Sequence, residues 1–204
     1  MTEINHKERA HAKLSASGAS RWATCPGSVQ MEEGIPDTES VYAKEGTLAH
    51  ELSELKLKHY LDSKGFGKRK LNAAVKKIKE DELYQAEMDG FTDNYVDFIK
   101  EKALSFPSKP YIEIEKRVDF SSWVPGGFGT CDCILIHGST LSIIDLKYGK
   151  GVPVSAEKNE QLILYALGAY NAFSLIYDIK KIEMNIVQPR LNNYSSWEVD
   201  LTEL

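Results

Sequence analysis

The run Thr130-Cys-Asp-Cys-Ile-Leu-Ile136, followed by His137-Gly-Ser-Thr140 and then Leu141-Ser-Ile-Ile-Asp-Leu-Lys147, decides how the chain is read. Both outer runs are short and rich in Ile, Leu and Thr. A Gly-Ser pair of the kind that closes a tight hairpin joins them, so they are predicted as antiparallel strands. With Gly138 and Ser139 as the loop, His137 pairs with Thr140 and Asp132 falls directly opposite Asp145. Side chains two apart in a strand share a face, so Lys147 points the same way as Asp145. Two carboxylates opposed on one face repel each other unless positive charge lies between them. A divalent metal ion is the expected source of that charge.

Around this hairpin, the chain has room for one well-buried core. At 204 residues it is expected to form a single α/β domain over residues 15–204, behind a mobile N-terminal segment, 1–14. Its 42% hydrophobic and 27% charged residues are ordinary for a globular protein, and no apolar run approaches the roughly 18 residues of a membrane helix. The polar start Met1–Ala10 has no signal-peptide core, which places the protein by expectation in the cytoplasm and away from membranes. A net charge of −5 argues against general attraction to nucleic acid while leaving room for a local basic groove. Three cysteines, Cys25, Cys131 and Cys133, are an odd number and argue against a disulfide scaffold.

The remaining elements follow from periodicity. A short capped helix starts at Ser15 and ends near Pro26, and a loop then runs to about Ala43. Thr47 is read as the cap of a helix carrying Leu48, Leu52 and Leu55, with His50, Glu51 and Glu54 on its other faces. A longer helix is predicted from about Glu82 to Leu104, ended by Pro107 and Pro110. Strands follow at Tyr111–Val118 and over the hairpin, then an apolar helix at 157–174, and strands at Lys181–Val187 and Ser196–Leu201.

Hydrolysis of a phosphodiester needs an activated water and positive charge facing the phosphoryl oxygens, and a carboxylate-held metal supplies both. In that reading Asp132 and Asp145 are metal ligands, the carbonyl of Leu146 adds an oxygen, and Lys147 orients the water or stabilises developing charge. A D-x-K triplet alone is weak, since solvated strands carry it by chance. Its weight here comes from Asp132 in register thirteen residues earlier. Glu113 and Glu115 share one face of the preceding strand, and the sequence does not choose between them as a further acid.

The strings Gly129-Thr-Cys-Asp132, Ile143-Ile-Asp-Leu-Lys-Tyr-Gly-Lys-Gly151 and Asn159-Glu-Gln-Leu-Ile-Leu-Tyr-Ala-Leu-Gly168 resemble the PD-(D/E)XK nuclease superfamily. Within it, the chain is most similar to the RecB-like and phage-exonuclease branch, and to a phage and prophage family known as a domain of unknown function. The resemblance spans Ser15 to about Val187 and implies a mixed β-sheet flanked by helices, Mg²⁺ or Mn²⁺, and DNA as substrate. Asp132 matches the first acidic motif, Asp145 and Lys147 the D-x-K, and Gln161 with Tyr165 the Q-x-x-x-Y of the next helix. There, i and i+4 place the last two on one face; the plainer reading of Tyr165 is core packing. His50 matches the histidine that joins the metal in RecB-like enzymes. With three cysteines, the four-cysteine iron–sulfur cluster of some relatives is not expected.

The basic stretch holding Lys68, Arg69, Lys70, Lys76 and Lys77 is the candidate for DNA phosphate contacts, although exposed helical lysines are commonly only solubilising. The resemblance thus implies a metal-dependent deoxyribonuclease, an exonuclease of phage or prophage recombination or repair. It allows a strand-annealing recombination protein as partner and a homo-oligomer. Two alternatives stand beside it: a module on the same fold that grips DNA or a partner without cutting, and a phosphoesterase acting on small nucleotides.

Overall fold

The computed structural model describes residues 12–33, 35 and 40–204. Most of the segment expected to be mobile, and part of the loop before Ala43, lie outside the described residues. Ala12 is buried and Leu14 packs against the main core, so the folded part begins a few residues before Ser15.

Ser15 accepts a hydrogen bond from the Gly18 amide and starts a 3-10 turn that continues into α1, Ala19–Thr24. A short helix, α2 (Ser28–Met31), occupies part of the expected loop. The next helix, α3, spans Val41–Leu61 and is capped by the Ser40 hydroxyl, which accepts from the Ala43 amide at 3.1 Å. Thr47 is therefore interior and not the cap. Its hydroxyl donates to the Ala43 carbonyl one turn back, the bond open to a threonine inside a helix. The basic stretch forms α4, Lys68–Lys79. Helix α5 covers Glu87–Ser105, starting five residues later than expected because the Asp81 carboxylate accepts from the Leu83 amide and holds a turn there.

Five strands follow: β1 Tyr111–Asp119, β2 Phe128–His137, β3 Thr140–Leu146, then helix α6 Glu160–Phe173, β4 Lys181–Gln188 and β5 Asn193–Asp200. They form one mixed sheet in the order β1-β2-β3-β4-β5. Only the β3–β4 pair is parallel, and α6 supplies the crossover that parallel neighbours require. The β2–β3 hairpin pairs His137 with Thr140 and Cys133 with Ile144, so the two-residue loop is observed, with Gly138 in the left-handed region at φ 57°. The same register puts Asp132 across from Asp145, one step past the last paired residues.

The sheet is covered on both faces. On one, Leu162, Ala166 and Ala169 of α6 pack over Ile134, Ile136, Ile143 and Ile186. On the other, Leu57 of α3 and Tyr95, Val96 and Ile99 of α5 pack over Cys133, Ile144, Leu146 and Val187. Cys131 belongs to the α6 layer and Cys133 to the opposite one, although residues two apart should share a face. The alternation therefore slips by one at Asp132. Glu115 stands at the matching step of β1, between the Ile114–Cys133 and Lys116–Cys131 pairs, with a left-handed φ of 51°.

The α6 layer lies close to the sheet at two glycines. A Cβ on Gly168 would come within 2.9 Å of the Val118 Cβ, and one on Gly129 within 2.8 Å of the Tyr165 ring. Gly129→Ala should therefore cost about 1–3 kcal/mol in denaturant unfolding, as overpacking of a tight core does. Gly46→Ala, with open space around the new methyl inside α3, should be neutral or stabilising by up to ~1 kcal/mol. Equal stability of the two variants would contradict the close α6–β2 contact.

Candidate functional site

Past the Cys133–Ile144 pair, β2 and β3 no longer exchange backbone hydrogen bonds, and side chains fill the opening. Asp132 points into it. Its Oδ2 accepts from the Leu146 amide at 2.8 Å, and its Oδ1 lies 3.3 Å from Nδ1 of His50, which α3 brings over from the helical layer. Glu115, turned by its left-handed backbone, completes a trio: one donor atom each from His50, Glu115 and Asp132 lie within 4.8 Å of one another. Glu113, its neighbour by alternation, is instead held by Lys116 at 2.7 Å and by the Tyr111 hydroxyl. The structure thus separates two acids that the sequence left equivalent.

Asp145 and Lys147 sit on the α6 side. The Lys147 amide donates to the Val187 carbonyl at 2.9 Å, extending the parallel pairing by one residue and fixing where its side chain starts. Its Nζ lies 2.9 Å from Asp145 Oδ2 and donates to Gln161 Oε1 at 2.6 Å. Oδ2 is fully buried, and the ammonium beside it offsets its charge. Gln161 also donates through Nε2 to Asp145 Oδ1 at 3.2 Å and to the Tyr165 hydroxyl at 3.1 Å. Its carbonyl oxygen is left to face the ammonium. Gln161 can do this because Asn159 caps α6 by accepting from the Leu162 amide, which sets the helix's first turn against the site.

His50, Asp132, Asp145, Lys147, Gln161 and Tyr165 line a cleft of about 350 Å³ together with Leu146, Tyr148, Gly149, Gly151, Val152, Val154 and Gln188. Its electrostatics are those of two buried carboxylates side by side. Burial pushes the Asp145 carboxyl above its ordinary range, Lys147 pulls it down, and Asp132 pushes it further up. Burial acts on Asp132 as well, but the charge and hydrogen bond of His50 and the Leu146 amide hold it below the ordinary range. Burial alone would lower the His50 imidazole; the surrounding Asp132, Glu115 and Asp145 overcome this and raise it to about 9. Burial pushes the Tyr165 hydroxyl well up, so it stays protonated.

A family model described as "Protein of unknown function (DUF2800)" matches residues 11–204. The chain belongs to the DUF2800 family. Among solved structures, one described as "Crystal structure of SSO0001" is similar to this DUF2800 chain at 10% identity and a TM-score of 0.29, covering 89% of this chain and 77% of that one.

All the cleft residues singled out in the sequence, His50, Asp132, Asp145, Leu146, Lys147, Gln161 and Tyr165, line this one cavity. Their grouping differs from expectation in one respect. The trio with ligand spacing contains Glu115 and not Asp145, whose oxygens face Lys147 and Gln161. Leu146 contacts Asp132 through its N–H. The basic residues Lys68, Arg69, Lys70, Lys76 and Lys77 are exposed on α4, and none of them lines the cleft. Cys25 is exposed, whereas Cys131 and Cys133 are buried in the core. Among the described residues, no helix is long and apolar enough to cross a membrane.

Sequence reasoning missed Gln188 and Arg190. The Arg190 guanidinium, nearly buried, donates to Glu45 at 3.1 Å and Glu87 at 3.0 Å and lies 4.7 Å from the Tyr148 ring centre. It ties the starts of α3 and α5 to the residue after Lys147. No local pattern announces such a contact.

The His50–Asp132 pair has a pH signature in metal-free protein. With its pKa raised from 6.5 to about 9, His50 binds its proton more tightly in the folded state. Its contribution to stability is full below pH 6.5 and is lost as pH rises to about 9. Denaturant unfolding in EDTA should show stability falling across that window, and His50→Gln should remove that fall. Parallel profiles for the two proteins would contradict the pairing.

Proposed function

We propose that this DUF2800 protein is a metal-dependent deoxyribonuclease of the PD-(D/E)XK superfamily, RecB-like and phage-exonuclease branch, serving phage or prophage recombination or repair in the bacterial cytoplasm. One observation carries the reading: His50 and Asp132 line the same cleft as an ammonium gripped by Asp145 and Gln161, and Glu115 stands within ligand spacing of both. Neither half alone would distinguish this site from a charged hairpin.

The donor set fits a divalent ion. Two carboxylates and one imidazole suit Mn²⁺ well and Mg²⁺ with bound waters. When bound, the ion supplies an activated water and positive charge facing the phosphoryl oxygens. His50, Glu115 and Asp132 hold it. Lys147 faces the reacting phosphate, where its charge offsets the negative charge that develops on the oxygens. Asp145 and Gln161 keep the ammonium from swinging away, at 2.9 and 2.6 Å respectively. Tyr165 fixes the Gln161 amide by accepting from Nε2. The α4 cations lie outside the cleft and add long-range attraction for a polyanion, which makes DNA binding weaken as salt rises.

Incubation of linear and circular duplex DNA with Mg²⁺, Mn²⁺ or EDTA tests the reading. Cleavage is expected with either ion and not with EDTA, and preference for linear DNA would mark an exonuclease. Asp132→Ala should abolish cleavage, and Lys147→Ala should lower kcat by ~10²–10⁴-fold. Cleavage that survives EDTA, or that both variants retain in full, would overturn the proposal. DNA binding without cleavage by wild type under all three conditions would favour the non-cleaving module.

A further inference from the structure

Between Lys147 and the start of α6 the chain has no regular structure, yet it is fastened down. Gln188, 2% exposed, spends its whole side chain on it: Nε2 donates to the Gly149 carbonyl at 2.8 Å and the Val152 carbonyl at 3.1 Å, and Oε1 accepts from the Val154 amide at 3.0 Å. Asn193 donates to the Val154 carbonyl at 2.9 Å and to Gln188 Oε1 at 3.0 Å. Backbone polar groups outside helices and strands need partners, but a surface loop ordinarily finds them in water. A buried glutamine used this way fixes the position of a strap, residues 149–154, along the cleft.

What the strap presents is not explained by folding. Val154 packs against the core, whereas Val152 is 77% exposed and also lines the cleft. Lys150 is exposed at the tip between Gly149 and Gly151, and a Cβ on either glycine would meet nothing within 4 Å. A rigid rim that offers one cation and one apolar side chain, with open approach to its backbone, matches an occupant with regularly spaced anions and apolar faces. A polynucleotide strand has both, as phosphates and as sugar and base surfaces. Lys150 does not itself line the cleft, so a partner for it belongs to a ligand that extends beyond the cleft, as a polymer does.

We infer that the strap 149–154 is a docking lip for a polynucleotide strand, with Lys150 on a phosphate and Val152 against the adjoining sugar or base. The inference rests on the nuclease reading and adds the surface that grips the strand beside the scissile phosphate. Gln188 is the positioning residue of this lip.

Fluorescence anisotropy with a labelled oligonucleotide, in Ca²⁺ and over a salt series, tests it alongside cleavage in Mn²⁺. Lys150→Ala should weaken binding and reduce the slope of log affinity against log salt by about one. Val152→Ser should weaken binding up to roughly tenfold with the salt slope unchanged. Gln188→Leu should raise KM more than it lowers kcat; the two tip variants, being exposed substitutions, keep the test valid if this buried one fails to fold. If wild type cuts DNA while both tip variants bind with wild-type affinity and slope, the lip is wrong and the nuclease reading stands. If wild type neither binds nor cuts DNA, the nuclease reading itself fails and the lip with it.

Discussion

Two carboxylates brought together in the interior of a sheet are the constraint on which the rest of this structure depends. The two-residue hairpin sets the register that places Asp132 across from Asp145, and both are largely buried. Like charges in that setting raise each other's pKa and favour loss of one charge. The fold offsets each separately. Asp132 is met by His50 from α3 and by the Leu146 amide, Asp145 by Lys147 and by Gln161 from α6. The two helical layers that cover opposite faces of the sheet thus meet at the one place where β2 and β3 separate. The cleft forms there because both layers have to reach the same pair of charges.

The slip at Asp132 is the device that opens the sheet. Cys131 and Cys133 fall into opposite layers, and Glu115 takes a left-handed backbone at the matching step of β1. A non-glycine residue in that conformation costs on the order of 1 kcal/mol. In return, the Glu115 carboxylate leaves the path of Glu113 and joins His50 and Asp132. The strained backbone brings a third donor to the cluster, so the proposed metal site rests on backbone geometry as well as on a motif. Farther out, Arg190 and Gln188 make the same investment from the end of β4, one holding the starts of α3 and α5, the other the strap.

What the sequence displayed was whatever depends on short range. The hairpin register followed from Gly138-Ser139, and the common face of Gln161 and Tyr165 from an i, i+4 spacing. The strand and helix order came from periodicity. Boundaries were read less well where a side chain made an unannounced local bond: Ser40 capped α3 ahead of Thr47, and Asp81 held a turn ahead of α5. Glu115 was a candidate that the sequence left undecided, for a different reason. Strict alternation makes it equivalent to Glu113, and only the backbone slip, set by packing on both faces, breaks the tie. Gln188 and Arg190 act across gaps of tens of residues, and no window of sequence contains both ends of those contacts.

The central claim is that His50, Glu115 and Asp132 together hold the divalent ion. A crystal structure of the protein soaked in Mn²⁺, with anomalous scattering used to place the metal, tests this most directly. The account predicts a peak within coordination distance of His50, Glu115 and Asp132, with Lys147 still against Asp145 and Gln161. A peak held by Asp145 and Leu146 away from His50 and Glu115, or none at saturating Mn²⁺, would contradict it.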